Sequence, residues 1–306
     1  MINFGSLITA MVTPFKEDDI NRIDYIAAEN IITHLVKTGT DSIIISGTTG
    51  ERPTLTHQEE EDFLDFTLKK VKELGQGTKI IFGAGSNCTR TAIHSTKRAE
   101  ELGADGVLLV IPYYNKPNQE GLIKHFNEIC SSTALPIILY NVPARSVVSL
   151  TAESIIELVS NNPNIVALKE ASSNFDLIST VRQEFSSNAL KIYSGEDTLI
   201  LPMMSIGADG IISVCSHVVG RQMKDMILAF QSGNNELAKR IHLRIFPVMK
   251  AIFSDTNPIG IKAALAGMEL CSAELRSPMV SLPKEKQLEY SKLIKEVLEV
   301  AEADLV

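Results

Sequence analysis

The sequence predicts a (β/α)8 TIM barrel with a C-terminal helical extension, and three observations lead to this fold class. Eight short apolar runs of strand length alternate with segments of helical period, which is typical of parallel strands joined by right-handed crossovers. No glycine-rich dinucleotide fingerprint follows these runs, since residues 83–87 come nearest and lack its third glycine. The length of 306 residues suits a barrel that forms one unit.

The predicted strands are continuously apolar, as expected of strands buried on both faces. Two helix starts can also be recognised between them, because Thr56 opens a capping box with Glu59 and Thr151 is a good N-cap residue. The eight strands are predicted at Leu7–Val12, Ser42–Ser46, Lys79–Gly83, Gly106–Ile111, Pro136–Tyr140, Ile165–Leu168, Leu190–Ser194 and Gly210–Val214.

The chain continues beyond the eighth strand for longer than one barrel helix requires. Leu237–Phe253, Ile259–Gly267 and Lys284–Ala303 have helical patterns. We therefore predict a catalytic barrel over residues 1–232 and a helical region over residues 233–306 that packs on the barrel.

Composition excludes several classes of function. The net charge is −8 and no basic cluster offsets it, which argues against a nucleic-acid partner. No apolar run is long enough to cross a bilayer and the N-terminus has no signal-peptide pattern, so we expect a cytoplasmic protein without membrane contact. The four cysteines are widely spaced, as free thiols are, and the six histidines show no ligand spacing with them. We therefore expect no metal site.

A lysine follows the sixth predicted strand, because Ile165–Leu168 runs directly into Lys169. Lysine is rarely buried without a partner, so a structural ion pair or a stem that reaches the surface is one interpretation. The other is an amine kept dry enough to lose its proton and attack a carbonyl. The strand by itself favours the first interpretation, and the residues at neighbouring strand ends decide between them.

Polar residues follow the second and fourth strands, at the end of a barrel where active sites lie. The loop Gly47–Glu51 holds Thr48 and Thr49 between two glycines, so its N–H groups and hydroxyls can bind a carboxylate. The alternative is a tight turn whose threonines bond to their own backbone. Tyr113 and Tyr114 lie on the later loop. Loop aromatics usually just pack, but a tyrosine hydroxyl can also relay protons.

The fifth strand ends at Tyr140, which should point into the barrel mouth beside Lys169. Arg145 follows on the loop, where a guanidinium can bind an anionic substrate through two parallel hydrogen bonds. A surface ion pair is the alternative for Arg145. After the seventh and eighth strands, small residues leave room in the mouth and are expected to offer backbone groups instead of acid–base chemistry.

Together these residues predict Schiff-base chemistry on a small keto acid. Lys169 would condense with the ketone, the threonines and Arg145 would hold carboxylates, and a tyrosine would move protons. For the attack, the amine must lose its proton from a free pKa near ~10.4. Burial and a nearby arginine would both lower that pKa.

Four segments occur in the order and at the spacing of a known family: Gly47–Glu51, Pro112–Pro117, Tyr140–Arg145 and Leu168–Ser172. The chain resembles the pyruvate-dependent class I aldolases grouped around N-acetylneuraminate lyase and dihydrodipicolinate synthase, and within them the dihydrodipicolinate synthases. The resemblance covers essentially the whole chain, including Asn257–Ile259. It implies a lyase that condenses pyruvate with L-aspartate-4-semialdehyde to 4-hydroxy-tetrahydrodipicolinate in diaminopimelate and lysine biosynthesis, with no metal or organic cofactor.

The resemblance also implies a catalytic role for each matching residue. Lys169 is the Schiff-base lysine, and Tyr140 is the proton shuttle beside it. Thr48 and Thr49 bind the pyruvate carboxylate, and Thr49 also links Tyr140 to Tyr114 in a hydrogen-bonded relay. The family supplies this second tyrosine from a neighbouring subunit, which implies a homodimer or homotetramer.

Three further residues line the substrate pocket by the same resemblance. Arg145 binds the carboxylate of aspartate semialdehyde, and Gly195 and Ile212 form part of the wall. The departures from the family pattern include Ser146, where a threonine is usual, Gly260, where a proline is usual, and the segment Cys215–His217, whose His217 we interpret as structural.

An allosteric lysine site is implied at a second place, where His57, Asn87 and Tyr113 fit the lysine-sensitive pattern of the family. Thr91 takes the place of an acidic residue that would hold the amine of the inhibitor, and Glu60 replaces a histidine. We therefore predict weak or absent inhibition by lysine.

Two other functions stay open at this point. Another aldolase of the family would act on N-acetylneuraminate or a 2-keto-3-deoxy sugar acid, but Arg145 and the pair Thr48 and Thr49 argue against it. A protein of a different class would bind keto acids on the same barrel without catalysis, and the presence of both Lys169 and Tyr140 argues against that.

Overall fold

Eight parallel strands close into a barrel. The computed structural model describes residues 2–303, with side chains described from residue 2 to residue 298. Each strand is hydrogen-bonded to its neighbours in chain order, and the eighth returns to the first, so the predicted fold class is confirmed. The strands are β1 Leu7–Ala10, β2 Ser42–Ile45, β3 Lys79–Gly83, β4 Gly106–Val110, β5 Ile137–Asn141, β6 Ile165–Glu170, β7 Lys191–Ser194 and β8 Gly210–Ser213.

Helices surround the barrel and follow its last strand. Within residues 2–303, none of them is both long enough and apolar enough to cross a membrane. They are α1 Tyr25–Lys37, α2 His57–Leu74, α3 Thr89–Leu102, α4 Gln119–Cys130, α5 Pro143–Ser146, α6 Ala152–Asn161, α7 Phe175–Glu184, α8 Ile200–Ser205, α9 Ser216–Gln231, α10 Asn235–Ile252, α11 Ile259–Gly267 and α12 Lys284–Ala303.

Both predicted helix caps are confirmed. The Thr56 side chain accepts a hydrogen bond from Glu59 N–H, and the Glu59 carboxylate accepts one from Thr56 N–H. The Thr151 hydroxyl accepts a bond from Ser154 N–H. These bonds satisfy N–H groups that have no partner inside the helix.

The register of β5, β6 and β7 places Tyr140 opposite Lys169, and Lys169 opposite Tyr193. Strand β6 runs two residues beyond its predicted end, because the ladder with β5 continues as far as the pairing of Asn141 with Glu170. The predicted last residue of the strand, Leu168, is therefore two residues too early, and Lys169 lies at the end of β6 but within it. Hydrogen-bonded strands hold its backbone on both sides.

Apolar side chains of the barrel strands fall into two clusters, as expected when alternate strand residues point to opposite faces of the sheet. The outer cluster lies between strands and helices. The inner cluster fills the barrel and includes Ile8, Ile44, Ile138 and Ile212. The barrel is therefore a packed core and not a channel.

Helices α10 to α12 share the outer apolar cluster with the barrel through Ile245, Ile261 and Ile294. A fully buried ion pair adds a second link, since Lys262 Nζ lies 2.5 Å from Glu51 Oε1. The observed bounds of α11 and α12 are those predicted from the sequence. The division of the chain into 1–232 and 233–306 stays a prediction.

Candidate active site

A cavity of about 510 Å³ opens at the carboxyl ends of the barrel strands. Its wall is formed by residues of β5 and β6, by the loops after β2, β5 and β7, and by the segment between α10 and α11. Active sites of this fold are built on this face. The residues predicted from the sequence that line the cavity are Thr48, Thr49, Tyr140, Arg145, Lys169 and Gly195.

Lys169 is 6% exposed, and its Nζ lies 4.2 Å from the centre of the Tyr140 ring. Burial lowers the pKa of Lys169 to about 8, although the carboxylates of Asp197 and Glu196 act in the opposite direction. None of the ion pairs formed by the described residues includes Lys169. About a tenth of the amine is therefore neutral and nucleophilic at pH 7, against well under a thousandth of a free lysine amine.

Tyr140 is paired in register with Lys169 on the neighbouring strand. Burial raises the pKa of its phenol to about 12, and the positive charge of Arg145 offsets part of that rise. The phenol therefore keeps its proton at neutral pH and can donate it to an oxygen atom that develops charge above Lys169.

Thr48 and Thr49 occupy different environments. Thr48 lies on a wall shared with a second cavity, where Tyr140 and Arg145 also lie. Thr49 is 3% exposed, and its Oγ1 accepts a hydrogen bond from Asn257 Nδ2 at 3.0 Å. Within residues 2–298 no hydrogen bond joins Thr49 to Tyr140, so the predicted link of the relay through Thr49 is not formed in this structure. Thr48 is the threonine that shares both walls with Tyr140.

The loop after β2 is suited to hold an anion. The N–H groups of Thr48 and Thr49 donate to no acceptor among the described residues. A Cβ on Gly50 would lie 3.1 Å from a backbone nitrogen, so the turn is tight. Glu51 adopts a left-handed φ of 54°, and its carboxylate lies against Lys262. The loop therefore presents free donors while its far end is fixed in the protein interior.

Arg145 lies on the single-turn helix α5 and lines both cavities. Its side chain is exposed, and no ion pair to it is found among residues 2–298. The predicted alternative, a surface ion pair, is therefore not observed. The guanidinium is available to an anion that enters from the rim.

The segment after β7 contributes more than was predicted from the sequence. A Cβ on Gly195 would lie 2.6 Å from Ala171 Cβ, so only glycine fits where the two strand ends approach. Glu196 lines the cavity, and Asp197 accepts hydrogen bonds from the N–H groups of Val214 and Cys215 at 3.2 and 3.3 Å. The expectation that this segment offers only backbone groups is wrong, because both carboxylates oppose the loss of a proton from Lys169.

Ile212 does not line the cavity. Its side chain is 1% exposed and belongs to the apolar cluster inside the barrel. Val214, two residues later on the same face, is the residue near the end of β8 that lines the cavity. Ile212, the wall residue predicted here, therefore lies one layer below the cavity, inside the barrel.

Tyr113 and Tyr114 diverge on the loop after β4. Tyr113 lines the second cavity, whereas Tyr114 is 87% exposed and lies outside the cavity of its own chain. Tyr114 also has a φ of 74°, a strained conformation for a residue with a bulky side chain. Such a residue is held outward and is free to contact another molecule.

The second cavity, of about 420 Å³, adjoins the first and is lined by His57, Glu60, Thr91 and Tyr113. Asn87 is not part of its wall, and its Nδ2 donates to the Tyr113 carbonyl at 3.2 Å. His57 and Tyr113 therefore both lie on the wall of this cavity, whereas Asn87 lies outside the wall and is hydrogen-bonded to Tyr113.

Glu60 is already engaged within the second cavity. Its Oε1 accepts from Arg52 Nε at 2.6 Å, and its Oε2 lies 3.3 Å from His57 Nδ1. Arg52 is also anchored to Ser95 Oγ at 3.0 Å. This carboxylate is therefore committed to protein partners.

Reasoning from the sequence did not assign a role to Asn257, although the resemblance included its segment. No local pattern links it to Thr49, because 208 residues separate them. His217 is buried, and burial lowers its pKa to about 4. Its ring nitrogens bond to the Val214 carbonyl and to Val12 N–H, which supports the structural interpretation.

Comparison with known proteins agrees with this geometry. The model of the Dihydrodipicolinate synthetase family matches residues 3–297. A 4-hydroxy-tetrahydrodipicolinate synthase of Bacillus subtilis is 42% identical over 97% of this chain and 100% of its own, and one of Halalkalibacterium halodurans is 45% identical over 94% and 95%. A solved dihydrodipicolinate synthase of Cyanidioschyzon merolae, with lysine bound, has a TM-score of 0.92 at 41% identity and covers 97% of this chain and 98% of its own. The chain therefore belongs to the dihydrodipicolinate synthetase family.

Proposed function

We propose that this protein condenses pyruvate with L-aspartate-4-semialdehyde to give 4-hydroxy-tetrahydrodipicolinate, a lyase reaction of diaminopimelate and lysine biosynthesis. The observation that carries the proposal is Lys169, a buried amine in the barrel mouth with a pKa lowered to about 8 and no ion pair among the described residues. A lysine with these properties is suited to forming an imine with a ketone. Membership of the family supports the same reaction.

The chemistry begins when Lys169 Nζ attacks C2 of pyruvate. Loss of water gives an imine, and removal of a proton from the methyl group gives an enamine. The enamine carbon then attacks the aldehyde carbon of the second substrate, and the new alkoxide takes up a proton. Attack by the substrate amine on the imine closes the ring and releases Lys169. The lysine acts as the electron sink, so the proposed reaction needs no metal or organic cofactor.

Tyr140 moves protons in these steps, since its phenol is protonated at neutral pH and lies over the lysine. Thr48 is the better candidate for the next hydroxyl of the relay, because it shares both cavity walls with Tyr140. The exposed and strained Tyr114 supports a relay completed by the partner subunit's Tyr114. We accordingly propose a homo-oligomer, a dimer or a tetramer.

The two carboxylates of the substrates are held by different residues of the cavity wall. The loop after β2, with Thr48 and Thr49, binds the carboxylate of pyruvate through its free donors. Arg145 binds the carboxylate of aspartate semialdehyde at the rim, where its guanidinium has no competing partner among the described residues. Both substrates are small metabolites, and we propose that the protein acts on them in the cytoplasm.

Trapping of the imine tests the proposal. The protein is incubated with pyruvate, reduced with borohydride and digested, and the added mass is located by peptide mass spectrometry. We expect the adduct on Lys169, while Lys262 serves as an internal control that is also buried. An unmodified Lys169 would exclude Schiff-base chemistry.

Turnover separates this function from related ones. Aspartate semialdehyde should be consumed with pyruvate, and neither N-acetylneuraminate nor 2-keto-3-deoxy sugar acids should be cleaved. An adduct on Lys169 with cleavage of a sugar acid, and no reaction with aspartate semialdehyde, would assign the chain to another aldolase. An adduct without turnover of either kind would indicate a keto-acid-binding protein.

A further inference from the structure

Asn257 contacts the proposed pyruvate site from outside the barrel. It lies between α10 and α11, lines the same cavity as Lys169, and is 7% exposed. Its Nδ2 donates to Thr49 Oγ1 at 3.0 Å, and both side chains are buried. This bond decides which way the Thr49 hydroxyl can point.

A threonine hydroxyl has one hydrogen to donate and two lone pairs that accept. The amide of Asn257 occupies one lone pair of Thr49 Oγ1, so the hydroxyl hydrogen must point elsewhere. Thr49 Oγ1 donates to no protein acceptor among residues 2–298. Its hydrogen is therefore left for a ligand in the cavity.

The direction of the amide is supported by the surroundings of its other end. Asn257 Oδ1 is buried and has no hydrogen-bond partner among the described residues. An amide in the reverse orientation would place its two N–H donors there. Buried unpaired N–H groups are rarer than under-used carbonyl oxygens. The observed direction is the one with the lower cost.

We infer that Asn257 is a positioning residue, which orients the Thr49 hydroxyl so that it donates to the carboxylate of pyruvate. The inference rests on the proposed function and deepens it. Asn257 acts through Thr49 and does not take part in the chemical steps. Without the bond from Asn257 the Thr49 hydroxyl would rotate freely, its hydrogen would point at the ligand only part of the time, and pyruvate would bind less tightly.

Reversal of the hydrogen bond tests this inference. Asn257→Asp keeps the shape of the side chain but replaces the donor with an acceptor, so the Thr49 hydroxyl should turn toward residue 257. Hydrogen bonds to a charged group are strong, so the KM for pyruvate should rise about 10- to 100-fold. The kcat should change much less when both constants are measured at pH 9, where most of the Lys169 amine is neutral and a further carboxylate at the cavity has little effect on it. Thermal unfolding checks that the variant is folded.

A double-mutant cycle isolates the part that passes through Thr49. Asn257→Asp also places a negative charge near the carboxylate, and that part of its effect should persist in a Thr49→Val background. The rest of the rise in KM, which passes through the Thr49 hydroxyl, should be absent in the Thr49→Val background. It should persist in a Thr49→Ser background, which keeps the hydroxyl. An equal rise of KM in all three backgrounds, or no rise in any of them, would refute the positioning role.

Two controls keep the outcome interpretable. If Asn257→Asp does not fold, Asn257→Ala removes the donor without adding charge, and it should raise the KM for pyruvate severalfold only where the Thr49 hydroxyl is present. The wild-type protein is assayed in parallel with pyruvate and aspartate semialdehyde. Absence of wild-type turnover would refute the proposed function. Turnover by the wild-type protein, together with Asn257 variants whose effect on KM is the same with and without the Thr49 hydroxyl, would refute only the role of Asn257.

Discussion

Two buried lysines of this protein differ in the groups that surround their amines. Lys169 and Lys262 each have an amine near an aromatic ring, at 4.2 Å from the centre of Tyr140 and 4.1 Å from the centre of Phe15. Lys262 also lies 2.5 Å from a carboxylate of Glu51 and donates to a backbone carbonyl at 2.8 Å. Lys169 has no ion pair among the described residues and borders an open cavity.

The two amines show how one residue type can serve two purposes. Burial lowers the pKa of both amines, but the paired carboxylate opposes that change directly at Lys262. A buried charge with a partner fixes one segment of the chain to another. A buried amine without a partner is available to react. Five measurements can test whether this contrast holds.

Lys169→Met should abolish the pyruvate adduct and lower turnover by about 1,000-fold or more, because the nucleophile is lost. Stability should rise at pH 7. The pKa of Lys169 is about 8 in the folded protein, against ~10.4 when unfolded, so burial of the charged form costs stability below pH 8 and the cost fades above pH 10. Borohydride trapping and thermal unfolding measure the two effects. Retained turnover would contradict the role of Lys169.

The same substitution at the other lysine should have the opposite effect on stability. Lys262→Met leaves Glu51 charged and buried, and should lower the free energy of unfolding by about 3–5 kcal/mol. Combined Lys262→Met and Glu51→Gln should recover most of the loss, since glutamine can still accept the bond from Arg276 N–H. Urea unfolding gives the measurement. An unchanged free energy of unfolding in Lys262→Met would show that the two lysines do not differ in this way.

Arg145→Ala should separate the two substrates. Loss of a guanidinium that binds a carboxylate should lower kcat/KM for aspartate semialdehyde by about 100-fold or more. Formation of the pyruvate adduct on Lys169 should be largely spared. Trapping assays and steady-state kinetics on the same preparation test this. Equal losses in both assays would contradict the role proposed for Arg145.

The pH dependence of adduct formation should follow the titration of the Lys169 amine in the protein without bound pyruvate. The rate of adduct formation at low pyruvate should rise with pH and level off above about 8, because only the neutral amine attacks. Below that midpoint it should fall about tenfold per pH unit. Arg145→Ala should move the midpoint upward, since the positive charge of Arg145 helps to lower the pKa of Lys169. A midpoint near 10 would mean that the amine is not buried in solution.

The smallest effect is expected from added lysine. An amino group needs an uncommitted carboxylate, and in the second cavity Glu60 is already bonded to Arg52 and faces His57. Thr91 supplies no charge there. Millimolar lysine should therefore reduce the rate by less than about twofold, a difference well under 1 kcal/mol. A severalfold reduction in a titration at subsaturating pyruvate would overturn this prediction.

Much of the fold was predictable because it depends on local patterns. Continuous apolar runs gave all eight strands within about two residues of their observed ends, and the caps at Thr56 and Thr151 follow from adjacent residues. The end of β6 was predicted too early, because Lys169 and Glu170 are polar. Their place in the ladder depends on strands β5 and β7, which a pattern within β6 does not report.

The candidate site was predictable where each residue ends a strand or lies in the following loop. Lys169, Tyr140, Thr48 and Arg145 line one cavity for that reason. The misses depend on depth or on contacts distant in sequence. Ile212 faces inward one layer below the cavity, and its pattern is the same as that of a lining residue.

The bond between Asn257 and Thr49 also has a consequence for the order in which the protein is made. The loop after β2 leaves the ribosome 208 residues ahead of the asparagine that contacts it. The ion pair between Glu51 and Lys262 likewise forms only after α11 has been synthesised. Domains generally form as their residues emerge, yet here the segment proposed to hold pyruvate gains its last supports only after all eight strands have been synthesised. A nascent chain therefore completes this part of its binding site only after the segment that follows the barrel strands has been synthesised.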